Sequence, residues 1–415
     1  MLDRYLYYSY SPECSQNGLA GVIRDAIQRD IKTKDSADLI DDGKKALKKS
    51  INRELAEDYA EREHVIPLSS GLDSRLILAL LLDHPEIDPN SITTVSFGSP
   101  GTWDFEIGQE VANKAGVRNI AVDLTANKFD WSLSSLRTYV RTLDQPTRVF
   151  EGYANAYILS IVRNNSVIWS GFMGDPTVGG HQPDEPTEDW STACEYFAEV
   201  NQFAEGLSSP SFDPVSILPN QPYLDRSYLS YEEQLDFAHR QPCLIAPLVL
   251  PEPDRYRTPF MQPEWLSYSL NLPRKSRKNR SLFTDIVTNM YPSLFSLPTD
   301  ANHGLPINTR WVKKFIHRSR LFISHKILQV TKSEYCPPNT NYLNFGRAFR
   351  EMGQLRDSVR TLMNDFSERE IAGLFEPTKI WDDHQSGNDR TDQIRAICSV
   401  ELILSETNLI TCTKV

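Results

Sequence analysis

A short loop rich in serine and glycine is the part of this chain best suited to chemistry. It follows the apolar run 64–68 and precedes the strongly apolar residues 76–82. Small residues allow backbone N–H groups to approach an anion, and the dipole of a following helix favours negative charge there. Serine hydroxyls can donate hydrogen bonds, and the Asp73 carboxylate can hold a magnesium ion against phosphate oxygens. The pattern predicts a phosphate-binding loop, with a capped serine-rich turn as the alternative. Its residues are Leu68, Ser69, Ser70, Gly71, Asp73 and Ser74.

A second loop of similar character follows the β-branched and aromatic run 167–170. It begins with Ser170 and Gly171, reaches Asp175, and ends near the glycine pair at 179–180. Because the carboxyl ends of parallel strands meet at one edge of a sheet, we expect this loop to lie beside the first. Two aspartates from adjacent loops can share ions that neutralise a leaving group. A glycine-rich turn without a ligand is the alternative interpretation.

The first loop is not of the Walker type, because Gly-x-x-x-x-Gly-Lys-Ser/Thr is absent from the sequence. Its form, Ser-x-Gly-x-Asp-Ser after a strand, resembles the pyrophosphatase loop (PP-loop) of enzymes that split ATP into AMP and pyrophosphate. Both loops together resemble the synthetase domain of asparagine synthetases and their relatives, the β-lactam synthetases and lasso-peptide cyclases. The resemblance implies that the first-loop residues, with Ser170 and Gly171, bind ATP. It also implies that Asp73 and Asp175 hold Mg²⁺ on the pyrophosphate.

Further segments support the same resemblance. Residues 94–98 resemble a family strand end whose backbone meets adenine, which places Phe97 at the base. The basic run 274–280 lies where relatives have a lysine that contacts the α-phosphate. Arg280 is the best-registered counterpart and Lys278 the second, and a solvated basic patch is the alternative.

Two positions of the second loop depart from the family pattern. Phe172 and Pro176 stand where the family has glutamates, and in relatives the latter glutamate assists proton handling around the amine. The resemblance implies an ATP-dependent, AMP-forming ligase that adenylates a carboxylate and forms an amide with ammonia or an amine. These departures keep open a non-catalytic nucleotide-binding or scaffold protein. A PP-loop ligase of another chemistry, such as thiolation, is a further alternative.

The expected substrates are a small-molecule or peptide carboxylate and an amine. The glutaminase half of asparagine synthetases uses an N-terminal cysteine, whereas Cys14 is internal here. We therefore expect no glutamine hydrolysis, and a partner that supplies ammonia is an open possibility. The net charge of −11 argues against nucleic-acid and anionic-membrane partners. Six scattered cysteines without a Cys-x-x-Cys pair fit a reducing cytoplasm.

Strand and helix patterns alternate around both loops. Strands are expected at 64–68, 91–97, 117–124 and 167–170, and helices at 39–62, 106–115, 153–162, 190–207, 231–240, 344–371 and 389–405. This order predicts an α/β fold with a doubly wound parallel sheet, which the resemblance identifies as the adenine-nucleotide α-hydrolase (PP-loop) type, and a large added helical region. The expected division is an N-terminal tail and helix (1–62), an ATP-binding core (63–182), a helical substrate-side region (183–345) and C-terminal helices (346–415).

Overall fold

A parallel sheet of five strands positions both loops. The computed structural model describes residues 2–10, 19–27, 35–55, 62–331, 336–369 and 375–410, so Cys14 and Cys412 lie outside the described residues. The strands are β1 His64–Pro67, β2 Ile92–Gly98, β3 Arg118–Asp123, β4 Val167–Trp169 and β5 Tyr256–Arg257. Their order across the sheet is β3-β2-β1-β4-β5, and all neighbours are parallel. The chain winds outward in both directions from β1, which confirms the predicted doubly wound α/β class.

Helices cover both faces of this sheet. Because side chains alternate across a strand, Val65 and Ile168 enter one core while Ile66 and Trp169 enter the other. The α-helices are α1 Leu2–Tyr8, α2 Leu19–Ala26, α3 Ser36–Leu55, α4 Leu72–Leu82, α5 Trp103–Ala115, α6 Leu133–Val140, α7 Val149–Ala156, α8 Ile158–Ile161, α9 Gly174–Thr177, α10 Trp190–Val200, α11 Tyr231–Leu235, α12 Ala246–Val249, α13 Pro263–Ser269, α14 Arg274–Arg277, α15 Ser281–Met290, α16 Pro292–Phe295, α17 Trp311–Thr331, α18 Phe345–Glu351, α19 Gly353–Ser367, α20 Pro377–Gln385 and α21 Thr391–Glu406.

Most of the predicted elements are present with shifted ends. The helix expected at 106–115 begins earlier, at Trp103, and Gly116 caps it with a left-handed φ of 72°. The helix expected at 344–371 is two helices, since Met352 adopts an extended backbone (φ −80°, ψ 100°) between α18 and α19. The segment expected to be a helix at 231–240 continues as a π-helix, Asp236–Ile245, before α12.

Pro67 ends the central strand without breaking the sheet. It is the last residue of β1 and lies opposite Val95 of β2, and Leu68 resumes the ladder by donating its N–H to the Val95 carbonyl at 2.8 Å. On the other side, β4 pairs only with His64 and Val65. The N–H that proline lacks is therefore not required by β4, and the chain is free to turn into the first loop.

None of the described helices is long and apolar enough to cross a membrane. None of the described cysteines, at positions 194, 243, 336 and 398, forms a disulfide. A short antiparallel ribbon, β6 Pro298–Thr299 and β7 Leu305–Pro306, forms a second sheet whose first strand contacts the first loop.

Candidate active site

The first loop closes on itself through its serines. The Ser69 hydroxyl accepts a hydrogen bond from the Gly71 N–H at 3.2 Å. The Ser69 N–H in turn donates to the Ser74 hydroxyl at 3.3 Å. Gly71 is the N-cap of α4 and offers no side-chain cap. The first-turn N–H groups of this helix therefore have no side-chain acceptor at the N-cap, which is the arrangement that favours an anion.

Ser70 fastens the first loop to α5. Its N–H and its hydroxyl both donate to Oδ1 of Asp104, at 3.0 and 2.7 Å. Its carbonyl accepts from Arg75 Nη2 at 3.2 Å and from the Thr299 hydroxyl at 2.9 Å. Ser70 was predicted to bind the nucleotide, and in the structure its polar groups hold the shape of the loop.

Arg75 is the buried guanidinium behind the loop. Besides Ser70, it donates to the carbonyls of Leu294, Leu297 and Pro298, at 3.3, 3.3 and 2.6 Å. Burial lowers the pKa of Arg75 to about 10, because the surrounding protein replaces water around the charge. The side chain joins the loop to the segment that leads into β6.

The second loop packs tightly on the first. A Cβ atom at Gly174 would lie 2.6 Å from Oδ2 and 2.8 Å from Oδ1 of Asp73, so only glycine fits. A Cβ atom at Gly180 would likewise meet the Asp175 carboxylate. Met173 precedes α9 with a left-handed φ of 65°, a conformation that is unusual for a residue with a side chain. The two loops are thus adjacent, as predicted from their positions after β1 and β4.

The two aspartates form a concentration of negative charge. Burial raises the pKa of Asp73 well above its ordinary value, the charge of Asp175 raises it further, and Arg280 acts in the opposite direction. Oδ1 of Asp175 is buried and lies 3.0 Å from Arg280 Nη1, an ion pair that lacks hydrogen-bond geometry. Two partly buried carboxylates, one of them with an oxygen that lacks a hydrogen bond, suit Mg²⁺, which binds through one or two carboxylates together with phosphate oxygens.

The described residues contain no group of three or more His, Cys, Asp or Glu side chains arranged to hold a metal. Asp73 and Asp175, one or two carboxylates of the kind that Mg²⁺ uses, would fit the ion in combination with the phosphates of a nucleotide.

The basic run 274–280 is divided among four different contacts. Arg274 donates to the Pro183 carbonyl at 2.7 Å, and Arg277 forms a fully buried ion pair with Glu233 at 2.6 Å. Lys278 is partly exposed and pairs with Asp184 at 3.2 Å, away from the loops. Among the predicted basic residues, the structure brings Arg280 to Asp175 and leaves Lys278 outside the site.

A cavity of about 440 Å³ opens between the loops. Most of the predicted site residues line it: Leu68, Ser69, Gly71, Asp73, Ser74, Phe97, Ser170, Gly171 and Asp175. Ser70, Lys278 and Arg280 do not line it, although Arg280 reaches it through Asp175. No cysteine is among the described residues that line the cavity.

One end of the cavity is aromatic. Phe97 stacks on Tyr342, with ring centroids 5.7 Å apart and an angle of 14° between the planes. The Tyr342 hydroxyl accepts from Asn155 Nδ2 at 3.0 Å, and its carbonyl accepts from the Ser99 hydroxyl at 3.1 Å. Tyr342 has a left-handed φ of 58°, so these contacts hold a strained residue in place. Flat, aromatic walls of this kind suit a purine base.

His181 lines the cavity beside Asp175 and is paired with the buried Asp236. His181 Nδ1 lies 2.8 Å from Asp236 Oδ2, and its Nε2 lies 3.6 Å from Asp175 Oδ2. Burial alone would lower the pKa of His181, but the hydrogen bond and charge of Asp236, with the charge of Asp175, outweigh it and raise the pKa. Burial would raise the pKa of Asp236, yet His181 and then Arg240 keep it below its ordinary value.

Sequence reasoning missed several residues of the cavity. Arg240 and Gln241 come from the π-helix, Asp300 follows β6, and Tyr342 lies far along the chain. No local motif marks them, because each reaches the loops through long-range packing. Asp104 alone had a signal, since it follows the carboxyl end of β2.

The comparisons with known proteins agree with this geometry. The family model described as asparagine synthase matches residues 42–294, which is more than half of the 415-residue chain and includes both loops. No curated protein matches the chain at a significant level. The chain therefore belongs to the asparagine synthase family, whose synthetase domains are ATP-dependent, amide-forming ligases of the PP-loop superfamily.

Proposed function

We propose that this chain activates a substrate carboxylate with ATP and passes the acyl group to ammonia or an amine. The carrying observation is the adjacency of the two loops, in which Asp73 and Asp175 share one acidic site beside the free N-terminal turn of α4. That site combines donors for phosphate oxygens with carboxylates for a divalent cation. Such a combination suits the release of pyrophosphate, since the leaving group is the most highly charged species of the reaction.

The reaction needs no reactant besides ATP, the acid and the amine. A carboxylate oxygen attacks the α-phosphorus, the bond to the β-phosphate bridging oxygen breaks, and pyrophosphate leaves. The amine then attacks the acyl carbon, AMP leaves, and the amine loses a proton. The Ser69 and Ser74 hydroxyls would donate to the β- and γ-phosphates, Gly71 would allow their close approach, and Asp73 and Asp175 would hold Mg²⁺, which supplies positive charge there.

Arg280 is the basic residue that we assign to the reaction. Its guanidinium is held by Asp175 at 3.0 Å, and arginine side chains act as planar, charged hydrogen-bond donors. It therefore stabilises negative charge and does not relay protons. The proposed substrates are a small-molecule or peptide carboxylate and an amine, or ammonia from a partner. The proposal includes neither nucleic acid nor membrane, and places the reaction in the cytoplasm.

A non-catalytic nucleotide-binding role is the second candidate. Two observations favour it: Phe172 is almost fully buried where the family has a glutamate, and Pro176 lies within α9 where the family has another. These residues remove two groups that could handle protons.

Product analysis decides between the two candidates. The purified chain is incubated with ATP, Mg²⁺, a panel of acids and hydroxylamine as the trapping amine, and the nucleotides are separated by chromatography. The proposed ligase gives AMP and pyrophosphate, whereas ADP would contradict the mechanism. ATP binding without cleavage across the panel would favour the non-catalytic role.

Variants test the assigned residues in the same assay. Asp73→Ala is expected to abolish Mg²⁺-dependent ATP binding with the fold intact. Asp175→Asn is expected to slow cleavage by about 10²-fold, the scale for loss of one charge-stabilising group. Arg280→Ala should slow cleavage, and Lys278→Ala, a surface change beside it, should not. A Lys278 variant slower than the Arg280 variant would reverse the assignment.

A further inference from the structure

Apolar side chains also line the cavity. We call the part of the lining that they form the apolar wall. Its residues come from α8, the second loop, the π-helix, α12 and β5, and they are Ile158, Phe172, Ile245, Val249 and Tyr256. Phe172, which stands where the family has a glutamate, is therefore one of several apolar residues that line the cavity.

The π-helix supplies the polar edge of this wall. In a π-helix, residues five apart lie on one face, and such helices are frequent at functional sites. Asp236 and Gln241 are five apart, and Gln241 Nε2 lies 3.2 and 3.1 Å from the two carboxylate oxygens of Asp236. Arg240 and Ile245 are also five apart, and both line the cavity. The π-turn thus places a guanidinium and an amide beside the apolar wall.

Arg240 is the one lysine or arginine among the described residues that line the cavity. Its guanidinium is 3.4 Å from Asp236 Oδ1, and about a third of its side chain is exposed (32%). Asp236 is at the same time satisfied by His181 at 2.8 Å and by Gln241. Arg240 can therefore share its remaining donors with a second carboxylate, for which its planar fork is well suited.

A polar acid such as aspartate fits this arrangement poorly. An ammonium group or second carboxylate that lay against Ile245 or Val249 would find no partner on those side chains, and burying charged groups without partners is costly. An acid with a hydrocarbon body would bury that body there and gain from it. The charge distribution of the cavity thus separates a site for one carboxylate from a site for apolar groups.

We propose that the carboxylate substrate has an apolar body, with Arg240 receiving its carboxylate and the apolar wall its body. This inference rests on the proposed function and names the substrate class of the same site. It excludes aspartate as the preferred acid.

Binding of a homologous series of acids tests the apolar wall. Butanoate, hexanoate, octanoate and aspartate are titrated calorimetrically into the full chain, with and without Mg²⁺ and the non-hydrolysable α,β-methylene analogue of ATP. We expect the affinity to rise roughly threefold to fourfold for each added methylene, the factor for burying one CH₂ group. Octanoate should bind at least tenfold more tightly than aspartate. Affinity that does not depend on chain length, or aspartate binding as tightly as octanoate, would overturn the proposal.

Paired variants exclude non-specific binding. Val249→Asp should remove the dependence on chain length, whereas Val200→Asp, the same change on the exposed surface of α10, should keep it. Val249→Thr, nearly isosteric, should weaken octanoate binding if the aspartate variant does not fold. Equal effects at positions 249 and 200 would overturn the proposal.

The role of Arg240 has its own readout. The wild-type chain should prefer octanoate to octanamide by about tenfold, and Arg240→Gln should remove that preference while binding of the ATP analogue is kept. Arg240→Lys should restore part of it. An unchanged preference in Arg240→Gln would contradict the assignment.

The nucleotide titration separates this inference from the proposed function. If the ATP analogue binds and the acids show no chain-length dependence, the substrate class is wrong and the proposed function stands. If the analogue does not bind but the affinity of the acids depends on chain length, the substrate class stands and the proposed function is wrong.

Discussion

Ser70 donates two hydrogen bonds to a single oxygen, Oδ1 of Asp104, and so joins the first loop to the first turn of α5. The family has glycine where this chain has Ser70. The serine hydroxyl adds a 2.7 Å bond to the 3.0 Å bond of the backbone N–H, which glycine could also make. The departure from the family pattern therefore adds a hydrogen bond between the first loop and α5.

Replacing Asp104 with alanine should loosen the first loop. The Ser70 N–H and hydroxyl would lose their common acceptor, which is expected to cost about 1–3 kcal/mol in the free energy of unfolding. ATP affinity should fall in parallel, because the neighbouring residues Ser69 and Gly71 would lose their fixed positions. Chemical denaturation and calorimetry measure the two effects. Asp104→Asn, which keeps an acceptor oxygen, is the matched control, and equal losses in both variants would show that the hydrogen bonds are not the cause.

The same carboxylate should make stability depend on pH. Burial raises the pKa of Asp104 above its ordinary value of 3.8, although the hydrogen bonds from Ser70 act in the opposite direction. The folded chain thus binds this proton more tightly than the unfolded chain, and the resulting stabilisation is full below the unfolded pKa and lost as pH rises through the folded pKa. The free energy of unfolding of the wild type, minus that of Asp104→Asn, should therefore decrease from pH 3.8 upward and then level off. Denaturant titrations across this range measure the difference, and an increase with pH would contradict the assignment.

Gly174→Ala should disable nucleotide binding through shape alone. The new methyl group would lie 2.6 Å from Oδ2 of Asp73, so either the carboxylate or the second loop must move. We expect ATP affinity to fall by more than tenfold, measured by calorimetry in the presence of Mg²⁺. Gly353→Ala is the control, because a Cβ atom there meets nothing within 4 Å. Wild-type affinity in the Gly174 variant would show that the contact between the loops is not needed.

Tyr342→Ala should weaken recognition of the base. Loss of the ring that stacks on Phe97 is expected to reduce ATP affinity by about 0.5–1.5 kcal/mol, the usual contribution of an aromatic pair. Inorganic pyrophosphate, which has no base, should bind equally well to wild type and variant. Tyr342→Phe keeps the stacking and loses only the bond from Asn155, so it should retain most of the affinity. Equal losses for ATP and pyrophosphate would indicate a general disturbance of the loops.

The sequence was sufficient to predict the sheet and the two loops because both depend on local patterns. The alternation of apolar runs and helical spacing predicted four of the five strands of the main sheet, and the small residues at 69–71 and 170–171 predicted the turns. β5 has only two residues, Tyr256–Arg257, and carries no periodic signal. The π-helix could not be predicted, since its residues have ordinary helical spacing and a proline such as Pro242 usually indicates the end of a helix.

The electrostatic contacts of the site were predictable only in part. Arg280 and Lys278 are two residues apart with the same type of charge, and nothing local distinguishes the one beside Asp175 from the one beside Asp184. Asn279 and Arg280 have left-handed backbone conformations, so helical spacing does not relate the side chains of Lys278 and Arg280. Arg240 and Tyr342 lie 60 or more residues from the loops in the sequence. Their positions in the cavity depend on tertiary packing, which the sequence pattern does not encode.

The hydrogen bonds of Arg75 have a consequence for the order of folding. Arg75 lies in the first turns of α4, yet its bond to Pro298 spans 223 residues of chain. Contacts this distant in sequence form late, because the entropy of closing so long a segment must be overcome first. The sheet can therefore assemble during synthesis before the loop acquires its final shape. The ability to bind nucleotide should therefore appear as one of the last events of folding. A nascent chain released before residue 298 should contain β1 and α4 but no ordered phosphate site.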